Sequence, residues 1–163
     1  MPKTNPTCRE AALSATAKLG DGSKLAKWTM PLPAIEWGKV IRVVDGDTLH
    51  VAFPVAPEGN VVRFVIRLAG LNCPEISNKA SVSAEERSVG IEAKFIMQQR
   101  WLGKLVRVRA MPGYEKWGRL LAELEDEEGC CINDWLLEQH WAVPYDGKRN
   151  FKTDWLKYRQ GYA

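Results

Sequence analysis

The stretch "GKVIRVVDGDTLHVAF", Gly38 to Phe53, decides the fold. Two β-branched runs flank an Asp-Gly pair, and that pair between such runs is a strong hairpin signal because glycine takes up positive φ at no steric cost. In the second run Leu49, Val51 and Phe53 alternate with Thr48, His50 and Ala52, the period of two that marks a half-buried strand. Beyond a loop from Pro54 to Asn60, a third run puts Val62, Phe64, Ile66 and Leu68 on one face and Arg63, Val65 and Arg67 on the other. That run ends in "IRLAGLNCPE", Ile66 to Glu75. A strand interior accommodates neither Pro nor a lone buried carboxylate, so the chain should leave the sheet near Gly70 and present polar groups at its rim.

A helix is expected next. Ile91, Phe95 and Leu102 with Ala93, Ile96 and Met97 fit a stripe of period 3.6, closed by Gly103. Ser83 with Glu86 spells a capping box, yet Gly90 interrupts the first turn, so the stable part is expected to begin at Gly90. "KLVRVRA" (Lys104 to Ala110) alternates as a strand, with "GRLLAELE" (Gly118 to Glu125) as its hairpin partner across a loop holding Pro112 and Gly113. The acidic "EDEEG" reads as a solvated turn. Asn133 is placed to cap a helix running to about His140, and Phe151, Trp155, Tyr158 and Tyr162 form the core stripe of a last short helix. The order β-β-β-α-β-β-α-α is that of an α+β, mainly β protein, a five-stranded OB-type Greek-key barrel with about three helices.

The chain of 163 residues suits one domain, read as residues 37–163, with a partly ordered N-terminal extension over residues 1–36 broken by Pro2, Pro6, Pro31, Pro33, Gly20 and Gly22. A formal charge of +3 permits a polyanionic partner without demanding one. Cys8, Cys73, Cys130 and Cys131 have neither CxxC spacing nor histidines at zinc-finger distances, so free thiols in a reducing compartment are expected. The Ala11 to Ala17 segment is barely apolar enough for a signal sequence, and no run approaches the ~18 apolar residues of a membrane span. A cytoplasmic protein follows as the expectation.

Five segments then share a resemblance. "VVDGDTL" (Val43 to Leu49), "IRLAGLNCPE", "GIEAKFIMQQ" (Gly90 to Gln99), "KWGRLLAEL" (Lys116 to Leu124) and "HWAVPYDG" (His140 to Gly147) resemble, in order and spacing, the staphylococcal nuclease or thermonuclease family over about residues 37–160. The resemblance implies an OB barrel and a Ca²⁺-dependent phosphodiesterase that hydrolyses DNA and RNA by attack of water on phosphorus. It implies that Asp47, Asn72 and the backbone carbonyl of Cys73 hold the metal. It implies that Glu75 acts as general base or orients the water, that Arg67 and Arg119 bind the phosphate, and that Tyr145 lies near the nucleotide.

These residue types suit that chemistry on physical grounds. The transition state of phosphodiester hydrolysis spreads charge over the non-bridging oxygens, which the planar forks of Arg67 and Arg119 match and a hard cation neutralises further. Pro74 stiffens the backbone that presents Glu75. The family usually has Asp where this chain has Asn72; the amide keeps an oxygen at the same reach and loses a charge, so weak calcium binding or another divalent ion is expected. Asp45 is expected to bond its own turn, and His50 and His140 to serve packing or the surface. The expected partner is DNA or RNA, with no membrane and a monomeric state. The alternative is a catalytically impaired OB-fold module that binds nucleic acid without cutting it.

Overall fold

The computed structural model describes residues 37–55, 60–114, 118–148 and 152–161. Strands β1 (Trp37–Val43), β2 (Thr48–Val55), β3 (Asn60–Leu68), β5 (Leu105–Tyr114) and β6 (Leu120–Asp126) close a barrel in the order β1-β2-β3-β6-β5. Neighbours are antiparallel except β3 and β6, which run parallel and pair Arg67 with Leu121. A helix, α1 (Ala84–Trp101), connects the third and fourth barrel strands. Helices α2 (Ile132–Glu138) and α3 (Trp155–Arg159) follow, and two-residue strands β4 (Leu71–Asn72) and β7 (Val143–Pro144) pair outside the barrel. The mainly β, OB-type architecture with three helices is thus present among the described residues, and none of its helices is long and apolar enough to cross a membrane. The N-terminal extension, Cys8, Phe151 and Tyr162 lie outside the described residues.

The hairpin forms where Asp45 and Gly46 turn the chain, and Leu49, Val51, Phe53, Phe64, Ile66 and Leu68 fill the interior. Phe53 and Phe64 meet edge to face with centroids 5.4 Å apart, a geometry that places the positive ring edge on the negative face. The β5 strand continues through Pro112 and Gly113, which the sequence assigns to a loop; a register shift between Ala110 and Tyr114 absorbs them, as a bulge does.

Of the stripe expected on α1, Ala93 and Met97 are buried and Ile96 packs partly against the core, while its large members turn outward. Ile91, Phe95 and Leu102 are exposed, and the buried stripe is Val89, Gly90, Ala93, Met97 and Trp101. The small residues decide this, because they allow the helix to approach its neighbours closely. A Cβ at Gly90 would lie 2.8 Å from both the Pro74 carbonyl oxygen and Ile76 Cγ2, so the helix crosses the 74–76 loop in direct contact. Gly90 therefore sits inside the helix rather than at its start. Ser83 caps it, accepting from the Glu86 N–H at 3.1 Å, while the Glu86 carboxylate accepts from the Glu75 N–H at 3.1 Å.

Two further expectations are corrected by burial. Asn133 is not a cap; Cys131 is, and Asn133 sits one residue inside α2. Its amide accepts from the Leu124 N–H and donates to the Ala69 and Ala122 carbonyls, tying α2 to the ends of β3 and β6. Asp126 of the acidic turn is buried, and accepts from Trp101 Nε1 and from the Glu128 and Cys130 N–H groups.

Gly90→Ala should destabilise the protein by about 1–3 kcal/mol through overpacking, outweighing the ~1 kcal/mol that alanine gains over glycine in a helix. Urea denaturation reads the sign, and a more stable variant would show that the close approach is absent.

Candidate functional site

The site forms where three chain segments meet at the rim of the barrel. The turn after β1 supplies Asp47, the end of β3 supplies Arg67, and β4 with the following residue supplies Asn72 and Cys73. Gly46 makes the meeting possible, since a Cβ there would stand 2.8 Å from the Cys73 Cβ and Sγ. β7 holds β4 from the other side, pairing Val143 with Asn72, and the Tyr145 N–H donates to the Gly70 carbonyl at 2.9 Å. Tyr145 therefore stands on the segment that flanks the site.

Arg67 is the hub. Its Nη1 lies 3.0 Å from Asp47 Oδ2 and donates to the Leu68 carbonyl at 3.1 Å, and its Nη2 donates to Asn72 Oδ1 at 3.0 Å. Asp47 Oδ2 also accepts from the Cys73 N–H at 2.9 Å, and Oδ1 accepts from the Thr48 hydroxyl at 3.1 Å. The Thr48 hydroxyl in turn accepts from Arg119 Nη1 at 3.3 Å, which brings the second arginine into the same network from the start of β6. Asp45 bonds its own turn as expected, accepting from the Asp47 N–H at 3.2 Å. Asp47, Arg67, Asn72, Cys73 and Arg119 are thus brought together, with Thr48 as a link whose role sequence reading missed. The signal was present, because Thr48 and Arg67 are cross-strand partners on the outer face.

Asp47 and Arg67 are 7% and 6% exposed, so both charges are almost fully removed from water. Burial raises the Asp47 carboxyl above the usual carboxylate range, the Arg67 guanidinium pulls it back, and the Asp45 carboxylate adds to the rise. Burial also pushes the Cys73 thiol well up, with the Asp47 charge adding to it, so this side chain is a neutral packing group.

Glu75 is not drawn into the network. It is exposed, its Oε1 accepts from the Ile76 and Ser77 N–H groups at 3.0 and 3.1 Å, and its Oε2 lies 3.8 Å from Lys79 Nζ. Its backbone is held by Glu86 and by the close contact of the 74–76 loop with α1, and its carboxylate is engaged within its own turn.

The donors suited to a metal are all hard oxygens: the Asp47 carboxylate, the Asn72 amide oxygen and the Cys73 backbone carbonyl. That chemistry fits an oxygen-seeking dication, with one formal charge in the set and therefore modest affinity. Among the described residues no group of three or more His, Cys, Asp or Glu stands together as a metal site. The two histidines pack: His140 lies edge-on to Tyr158 at 5.2 Å, and His50 Nδ1 lies 3.4 Å from Arg63 Nη1.

Comparison with models of protein families and with curated proteins gives no match for this chain.

Burial, with the Arg63 and Arg42 charges, lowers the His50 imidazole to about 4. As pH falls from about 6.5, the ordinary histidine value, the unfolded chain takes up a proton that the folded one refuses, so stability declines and levels off below about 4. His50→Gln, which keeps an acceptor for Arg63, should flatten that part of a pH–stability curve; an unchanged slope would mean His50 titrates alike in both states.

Proposed function

We propose that this chain is a metal-dependent nuclease that hydrolyses phosphodiester bonds of DNA or RNA by attack of water, with low sequence specificity. The observation that carries the reading is the buried Asp47–Arg67–Asn72 network with Arg119 tied in through Thr48. An ion pair taken out of water contributes little to stability compared with apolar residues of the same size, so a buried pair at the end of the barrel strands favours a functional explanation.

In this reading Arg67 and Arg119 receive the phosphate and stabilise the charge that develops on its non-bridging oxygens. Asp47, Asn72 and the Cys73 carbonyl would hold Ca²⁺ or another divalent ion, which supplies a further positive charge to the phosphate when bound. Asn72 spans both tasks, because its oxygen faces the Arg67 guanidinium in the structure. Glu75, turning from its local N–H partners, takes the proton of the attacking water. Contacts to the backbone phosphate carry no base information, which accounts for low sequence specificity.

Two observations favour the second reading, a binding module without catalysis. The Glu75 carboxylate is held by its own loop, and the amide at position 72 leaves a single carboxylate among the metal donors.

Cleavage of single-stranded DNA in millimolar Ca²⁺ separates the two. The nuclease reading expects turnover by the wild type, its loss in Glu75→Gln, and a fall of ~10²–10³ in Arg119→Ala. Asn72→Asp should raise Ca²⁺ affinity about tenfold by restoring a charged ligand. Binding without cleavage by the wild type, with cutting gained in Asn72→Asp, would establish the binding module instead.

A further inference from the structure

The loop that carries Glu75 is held by the first two turns of α1. The Glu86 carboxylate accepts from the Glu75 N–H at 3.1 Å, and Arg87 Nε donates to the Ser77 carbonyl at 3.2 Å. Gly90 brings the helix so close that a Cβ there would stand 2.8 Å from the Pro74 carbonyl oxygen and 3.3 Å from that of Glu75. Glu86 and Gly90 are one turn apart on the same side of α1, so the helix meets Glu75 at its N–H and again at its carbonyl. On the other side, two residues back, the Cys73 N–H is bound to Asp47 at 2.9 Å. Glu75 therefore stands on a short bridge between the Asp47–Arg67 cluster and the helix.

Glu86 is the unexpected member of this arrangement. It lies three residues after the Ser83 cap, the position from which a glutamate commonly reaches back to the N–H of the cap itself. Its own N–H donates to the Ser83 hydroxyl at 3.1 Å, which anchors it in the first turn, while its carboxylate goes to Glu75, eleven residues earlier in the chain. The Glu75 carboxylate makes its contacts inside its own turn, with the Ile76 and Ser77 N–H groups and Lys79. Its distance from the cluster is thus set through the backbone, and the group outside the loop that hydrogen-bonds the Glu75 backbone is Glu86.

We propose that Glu86 is a positioning residue for the nuclease reaction: its carboxylate fixes the backbone of Glu75, and with it the point from which the Glu75 side chain serves the attacking water. The role assigned to Glu75 rests on the nuclease reading. A hydrogen bond at an exposed site adds little to folding because water replaces it readily, so its weight falls on placement. Misplacing a reacting group by about 1 Å costs up to ~10²-fold in rate, whereas the phosphate contacts of Arg67 and Arg119 lie apart from this bond. What the role requires is an acceptor for the Glu75 N–H, and an amide oxygen at the same reach supplies a weaker one.

The test compares full-length wild type, Glu86→Ala and Glu86→Gln in two measurements. In cleavage of single-stranded DNA in millimolar Ca²⁺, Glu86→Ala should lower kcat about ten- to a hundredfold and leave KM within about twofold. Glu86→Gln should stay within about threefold of the wild type, and the urea midpoints of all three proteins should agree. In amide exchange followed by NMR in chelator, the Glu75 N–H should exchange about tenfold faster in Glu86→Ala and keep its protection in Glu86→Gln. Equal losses in both variants would show that the charge of Glu86 acts rather than its hold on the N–H, and would overturn the proposal, as would a loss of kcat that follows the urea midpoint. If the wild type never cuts DNA while exchange behaves as expected, the nuclease reading falls and the hold of Glu86 on Glu75 stands. If Glu86→Ala cuts as fast as the wild type, the nuclease stands and Glu86 has no part in it.

Discussion

The structure depends on a buried ion pair, the Asp47 carboxylate against the Arg67 guanidinium at 3.0 Å. Removing two such groups from water is costly, and the cost is offset only where every remaining donor and acceptor finds a partner. Most of them do here: the Cys73 N–H and the Thr48 hydroxyl join Arg67 on the carboxylate, and the Leu68 carbonyl and the Asn72 amide oxygen join Asp47 on the guanidinium. The partners come from segments that are distant in sequence, so the network joins the turn after β1, the end of β3 and β4 at one point. Removing a single partner would leave an uncompensated buried charge, a loss of about 3–5 kcal/mol.

The remainder of the fold brings these segments within reach. At Gly46 and Gly90, as at Gly38 in the barrel wall, a methyl group would collide, at the first with Cys73 and at the second with the 74–76 loop, so the loop carrying Asn72 to Glu75 is pressed onto both the hairpin turn and α1. Asn133 ties α2 to Ala69 and Ala122, just behind the ends of β3 and β6 that present Arg67 and Arg119. The 139–142 turn that leads into β7 is held by α3, whose Tyr158 hydroxyl donates to the Ala142 carbonyl and whose Arg159 guanidinium stacks on Trp141 at 3.3 Å. Helix packing at the back of the molecule thus sets β7, and β7 sets Asn72.

Much of this was legible in the sequence where local rules dominate. Period-two alternation and the Asp-Gly turn placed β1 to β3, and the same alternation put Arg67 on the outer face. What alternation does not encode is that the outer face at Arg67 is buried by the turn and β4, so an arginine that alternation points away from the core is, with Asp47, one of the two most heavily bonded groups of the site. The stripe on α1 was misread for a related reason. Periodicity ranks Ile91 and Phe95 as core beside Ala93 and Met97, while only the latter two join Gly90 at the contact, where small or adaptable volume against neighbouring groups decides. Asn133 and Asp126 look like surface residues by type, and only long-range partners reveal them as buried links. Within the site, Asp47, Asn72, Cys73, Arg67 and Arg119 converge, and Glu75 keeps its carboxylate in its own turn because two N–H groups there satisfy it.

In the proposed nuclease the Asp47–Arg67 pair serves the reaction rather than stability. The most direct measurement sets unfolding free energy beside DNA cleavage in millimolar Ca²⁺ for the double variant Asp47→Leu with Arg67→Met. Apolar replacement of both partners is expected to lower stability by no more than the ~1–3 kcal/mol of the orphaned Cys73 N–H, while cleavage disappears. A variant that loses several kcal/mol and still cuts DNA would show that the pair belongs to the fold and that the reaction occurs elsewhere.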